Sequence, residues 1–152
     1  IEAELDRTEF SVVHIATHGE FSQDSERSFL LTWDGRLGMD QLGEADGHAR
    51  FRDRPIELLT LSACDTAQGD GRAALRVPGI AIQAGARSAL GTLWSVNDVA
   101  SAELVGAFYT GLHEARSSKA VALQLAQQKI LRDTNHAHPY YWAPFLLIGN
   151  WL

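Results

Sequence analysis

Three short, continuous apolar runs constrain this fold most: residues 11–17, 56–63 and 88–93. Each is rich in branched or small apolar residues, too short for a bundle helix and without the alternation of a half-exposed strand. Each therefore reads as a strand buried on both faces. Helical patterns follow the third run. Val99, Leu104, Val105, Phe108 and Leu112 approximate one helical face, and Ala120, Leu123, Ala126, Gln127 and Ile130 form a second stripe. Asn97 and Ser117 stand where N-caps belong. Strands alternating with helices argue for an α/β fold with a largely parallel sheet.

The remaining segments fill in around this frame. Residues 1–7 read as the end of a helix, and 28–33 as a further strand closed by the Asp34-Gly35 turn signal. Residues 39–44 suit a short helix and 47–55 a polar surface loop. The Gly-, Asp- and Ala-rich stretch 65–76 reads as a flexible loop. A helix is expected over 78–84, ending at Gly85 as its C′ glycine. In the tail, residues 138–149 are aromatic and then apolar, and the second half suits a final strand.

Composition removes several function classes. A chain of 152 residues, 45% hydrophobic, supports one domain with a substantial core. With 13 Lys+Arg against 19 Asp+Glu it carries a formal charge of −6, and its only lysines are Lys119 and Lys129. That balance does not fit phosphate-backbone binding, so no nucleic acid is expected as a direct partner. No apolar run approaches the ~20 residues of a membrane helix, so no membrane is expected either. The single cysteine, Cys64, excludes an internal disulfide framework and multi-cysteine metal sites. It fits a reducing compartment, and the cytoplasm is the expected location. Ile1 is not a natural start, so the chain is expected to be a piece of a longer polypeptide.

In open α/β sheets, sites form beyond the carboxyl ends of the strands. That rule selects the loop beginning His18-Gly19-Glu20 and the loop beginning Cys64-Asp65-Thr66. A thiol nucleophile needs an imidazole nearby and donors for the developing oxyanion. Gly19 allows close approach of a substrate carbonyl to backbone. His14 and His18 lie four residues apart on one strand and so share a face. A metal held by that pair lacks further ligands, and no metal or cofactor is expected. His14 reads as a hydrogen-bonded core residue, and His136 and His138 as solvated turn residues. Glu20 reads as a solvated loop acid. No Gly-Lys-Ser/Thr follows Gly69–Gly71 and no Gly-x-Ser-x-Gly occurs, which disfavours nucleotide binding and a serine hydrolase.

Four blocks in order carry a family resemblance. Val13-His-Ile-Ala-Thr-His-Gly-Glu-Phe21 and Leu59-Thr-Leu-Ser-Ala-Cys-Asp-Thr-Ala67 resemble the His-Gly and Ala-Cys blocks of the CHAT domain, a caspase-like cysteine peptidase family. The stretch from Gly85 to Asp98 resembles its strand-then-LWxVxD block, and that from His138 to Gly149 its C-terminal block. The resemblance implies a caspase-like three-layer α/β/α sandwich with a mostly parallel central sheet. The chain would be the C-terminal part of one such domain over residues 1–152, with the upstream strands absent. It further implies a Cys–His dyad: Cys64 as nucleophile, His18 as the acid that protonates the leaving amine, and the Gly19 and Cys64 amides as the oxyanion hole.

By the same resemblance, Ser62 and the segment from Trp94 to Asp98 shape the pocket for the substrate side chain before the scissile bond. Ser62 departs from the glutamine of caspases and no arginine lines the stretch, so an aspartate-specific pocket is not expected. Asp65 and Asp98 would instead face a basic side chain. Plainer roles stay open for each: Asp65 as a turn cap, Asp98 in the first turn of a helix, Trp94 as a packing residue.

The expected function is a cysteine endopeptidase acting on a protein substrate, controlled by an attached sensor module or a partner protein. Two other readings remain, a catalytically silent interaction scaffold and a domain that cuts only its own chain.

Overall fold

The computed structural model describes residues 10–20, 29–38, 55–63, 78–79, 81–82, 85–114, 116–133 and 135–152. The expected elements at 1–7 and 39–44, the loop at 65–76 and most of that at 47–55 lie outside them, as do Cys64 and Asp65. The described strands are β1 (Val12–Thr17), β2 (Gly19–Glu20), β3 (Phe29–Thr32), β4 (Gly35–Gly38), β5 (Leu58–Ala63), β6 (Ser88–Thr92) and β7 (Phe145–Gly149). The helices are α1 (Asp98–His113), α2 (Lys119–Leu131) and the single turn α3 (Pro139–Trp142).

All three apolar runs become neighbouring strands of one sheet, in the order β1-β5-β6-β7. The pairs β1–β5 and β5–β6 are parallel, and β7 returns antiparallel against β6. In β5 and β6 the continuous hydrophobicity follows from burial on both faces, whereas β1, expected to be buried likewise, buries Ile15 and leaves Val12, His14 and Ala16 exposed because it is an edge strand of the described sheet. Along β5, Leu58 joins a core with Leu90, Leu104, Phe108, Leu123 and Ile130, beneath α1 and α2. Leu59 and Leu61 point the other way, into a core with Ile15, Leu30, Leu37, Ala81 and Ala86. Helical residues 78–79 and 81–82 supply the layer on that second side. The architecture is the mostly parallel α/β/α arrangement of the caspase-like sandwich.

The expected strand at 28–33 forms as β3, but the chain then turns through Trp33-Asp34 into β4, a strand the pattern did not reveal. Thr32 pairs with Gly35 across this turn, and Thr32 donates to the Asp34 carboxylate at 2.9 Å. β2, β3 and β4 make a second, antiparallel sheet.

Two helix ends follow their chemistry closely. Asn97 caps α1, its Oδ1 accepting from the Val99 and Ala100 amides at 3.0 and 3.1 Å. After residues 81–82 the Ala86 amide donates to the Ala81 carbonyl and the Gly85 amide to that of Ile82, with Gly85 at φ +99°. These are the paired bonds of a Schellman end, and the left-handed φ explains the glycine. At α2 the cap is Ser118, whose hydroxyl accepts from the Val121 amide, rather than the expected Ser117. The expected α1 face holds at Leu104, Val105, Phe108 and Leu112, but its first position is the buried Ala100, while Val99 is 60% exposed. Removing the Asn97 cap orphans two amides. Asn97→Ala is therefore expected to cost about 1 kcal/mol, read from the urea midpoint at unchanged slope.

Candidate active site

The parallel pairing of β1 with β5 brings the two sequence motifs together. His14 lies opposite Thr60, Ala16 opposite Ser62 and Thr17 opposite Ala63. The strands thus end side by side, and the next residues in the sequence are His18 on one and Cys64 on the other. Parallel neighbours lie about 4.8 Å apart.

Strand parity decides which side chains face α1. On β5, Leu58 and Thr60 face the helices, and Ser62 continues that face. On β1 the same side is taken by His14 and Ala16. His14, Ala16 and Ser62, with Thr17 and His18, wall a cavity of about 420 Å³ bounded on its other side by Asp98, Ser101, Ala102 and Val105 of α1. Asp98, Ser101 and Val105 follow steps of three and four, one helical face. A second cleft, about 570 Å³, runs along the outer edge of β1 past Phe10, Val12, Leu31 and Trp33. It shares His14, Ala16 and Thr17 with the first cavity but is not lined by His18, Ser62 or Asp98, so the residues expected at the site gather at the first cavity.

Of the residues expected at the site, His18, Ser62 and Asp98 line this one cavity. Trp94 does not line it. Its ring packs on the core beneath α1 and α2, and its indole N–H donates to the Tyr140 carbonyl at 3.1 Å. Gly19 is not in a loop, as the sequence suggested, but opens β2 and is buried. The Leu31 amide donates to the His18 carbonyl at 2.8 Å, so Gly19 and Leu30 are a non-hydrogen-bonded pair of the antiparallel ladder. Pairing with β3 therefore leaves the Gly19 N–H unused. Glu20 pairs with Phe29 in the same ladder. Cys64 and Asp65 lie outside the described residues.

Sequence reasoning passed over the polar layer under the cavity. The His14 Nε2 lies 3.1 Å from the Ser62 hydroxyl, and its ring is tilted against that of Tyr109 at 5.7 Å. Tyr109 donates to the buried Thr60 hydroxyl at 2.9 Å. Partial burial holds the His14 pKa below the ordinary histidine range. Burial raises the Tyr109 pKa, and the Thr60 hydrogen bond offsets part of this. His14 is thus hydrogen-bonded as expected, yet it is exposed to the cavity rather than sealed in the core. The signal available in the sequence was its four-residue separation from His18.

His136 and His138 make structural contacts away from the cavity. His138 caps α3, its Nδ1 accepting from the Tyr140 amide at 3.2 Å. His136, expected in solvent, is instead half-buried: its Nδ1 meets the Asp133 carboxylate at 2.8 Å and Glu103 at 3.8 Å, with Tyr141 edge-on. The Asn135 amide, then His136, hold the Asp133 carboxyl below its usual range. Glu103, Asp133 and His136 are the one group of possible metal ligands among the described residues. None of them lines the cavity, and their contacts tie α1 to the turn after α2.

Comparison with protein-family models matches the CHAT domain over residues 1–150. The chain belongs to the CHAT domain family. The match spans both strand ends, the α1 wall and the terminal strand, so the cavity lies within the CHAT domain itself. A comparison with curated proteins found no match. Among the described residues of this CHAT domain, no helix is long and apolar enough to cross a membrane.

Proposed function

We propose that this CHAT domain is a cysteine endopeptidase whose dyad is Cys64 and His18. The observation that carries the reading is the Thr17–Ala63 register at the end of β1 and β5, with His18 and Ser62 in one cavity. The Cys64 thiolate attacks the scissile carbonyl carbon, forming a C–S bond. The Gly19 and Cys64 amides take the oxyanion. Protonated His18 gives its proton to the leaving nitrogen, and the C–N bond breaks to leave a thioester and a free amine. Water then attacks the thioester, His18 takes up its proton, and the thiolate departs. Thiolate formation and loss of the leaving-group acid together give a bell-shaped pH–rate profile.

In this reading the cavity takes the substrate side chain before the scissile bond. Asp98 is the one carboxylate among its described lining residues, which favours a basic side chain, and Asp65 adds a second acid. Trp94 supports the cavity wall through the core. The substrate is a protein, and control comes from an attached module or a partner protein in the cytoplasm.

The test sets wild type beside Cys64→Ala, both as the full-length protein, against a lysate of the source cell. New protein N-termini are mapped by mass spectrometry, with and without candidate partners. Termini that appear only with wild type, preceded by Arg or Lys, support the reading. Identical maps under every condition would replace it with a silent scaffold.

A further inference from the structure

Ser62 lies at the floor of the cavity, and its hydroxyl has two ways to point. His14 decides between them. A neutral imidazole with Nε2 unprotonated accepts the Ser62 O–H, which leaves the oxygen's lone pairs for the cavity. An imidazolium has only donors, so its Nε2–H occupies the Ser62 oxygen and turns the hydroxyl proton toward the cavity. The 3.1 Å separation holds for either direction. We propose that His14 is a specificity-determining residue of this cavity, which through Ser62 admits a donor-only guanidinium or ammonium side chain while its own ring is neutral and excludes it once protonated. This rests on the peptidase reading for its biological use, but the binding step stands apart from catalysis.

Each group facing His14 in the described structure is compatible with this role. Thr60 and Ser62 of β5 do not titrate. Tyr109 of α1 stays a phenol, since burial raises its pKa. Asp98 supplies the anion that a cation entering the cavity meets, and His18 lies at the end of β1 beside it. Partial burial keeps His14 neutral to lower pH than a free histidine. A cation bound beside it raises the cost of a second positive charge, so binding and protonation oppose each other.

The experiment is histidine NMR on the whole chain with Nα-acetyl-arginine-N-methylamide as the probe. The His14 ring signals are those missing from His14→Gln. The expected neutral form has Nε2 unprotonated, and saturating probe moves the titration midpoint further down. Below that midpoint the wild-type affinity falls about tenfold for each pH unit. In His14→Gln the amide keeps a hydrogen bond to Ser62 without titrating, so affinity is retained and flat over the same range. An unmoved midpoint, an Nε2–H neutral tautomer, an equal pH slope in His14→Gln, or no binding would overturn the proposal. The peptidase reading is judged separately by the terminus maps, where cleavage after neutral residues would sink the His14 role and leave the peptidase standing.

Discussion

Cleavage is expected to disappear when Cys64 is replaced by alanine, a loss on the order of 10⁴-fold or more, because no other thiol exists in the chain to take over. His18→Ala is expected to cost about 10²–10⁴-fold, the usual contribution of a positioned proton donor. The two losses do not add. The double variant should be no slower than Cys64→Ala alone, since a dyad acts as a unit. The His18 side chain is exposed at the end of β1, so His18→Ala should leave the melting temperature within about 2 °C of wild type. A substrate-independent readout accompanies the kinetics. Iodoacetamide has one thiol to react with, and its rate near neutral pH should fall in His18→Ala as the thiolate loses its imidazolium partner. Alkylation that ignores His18 would separate the two residues chemically and end the dyad reading.

Phe108→Ala is expected to be the most damaging single change to stability, at about 3–5 kcal/mol. The side chain has 0% exposure and sits where α1 meets Leu58, Leu90 and Ile130. Truncation leaves a void between the strands on one side and α2 on the other. Against a typical total of about 5–15 kcal/mol this removes a large share, and a fall in melting temperature of roughly 10 °C follows. Val99→Ala on the exposed side of the same helix is the control, expected within about 0.5 kcal/mol. Urea melts of the three proteins decide the matter. A Phe108→Ala loss below about 1 kcal/mol would mean that α1 is not held by this core. The same helix carries Asp98, Ser101 and Val105 to the cavity, so this loss would also reach the proposed site.

Acidification gives stability the same sign as binding at His14. Burial lowers its pKa in the folded chain, so the unfolded chain binds the extra proton first. The stabilisation is complete above the ordinary histidine value of about 6.5 and is lost as pH falls through the lower, folded value. The melting temperature of wild type should therefore fall relative to that of His14→Gln, which does not titrate, as pH falls through that window.

The sequence by itself determined the elements whose cause is local. Uninterrupted apolar runs of six or so residues mark strands with two buried faces, and those at 56–63 and 88–93 became β5 and β6 with cores on both sides. Asn97 and Gly85 marked helix ends because a capping carboxamide and a left-handed residue act within one turn. Family membership was legible because four blocks recur in order, and His18, Ser62 and Asp98 reached one cavity because each stands at a strand end or helix start. Other features depend on partners distant in the chain. Gly19 reads as a loop residue until β3 pairs with it, and Trp94 reads as a site residue until the Tyr140 carbonyl takes its N–H. β4 has little apolar pattern of its own and exists through its ladder with β3. His14 meets Ser62 across 48 positions of sequence, and only the register of two parallel strands brings the imidazole and the hydroxyl within reach. Periodicity shows which face a side chain takes, but what it meets there is set by nonlocal pairing, which tertiary structure alone supplies.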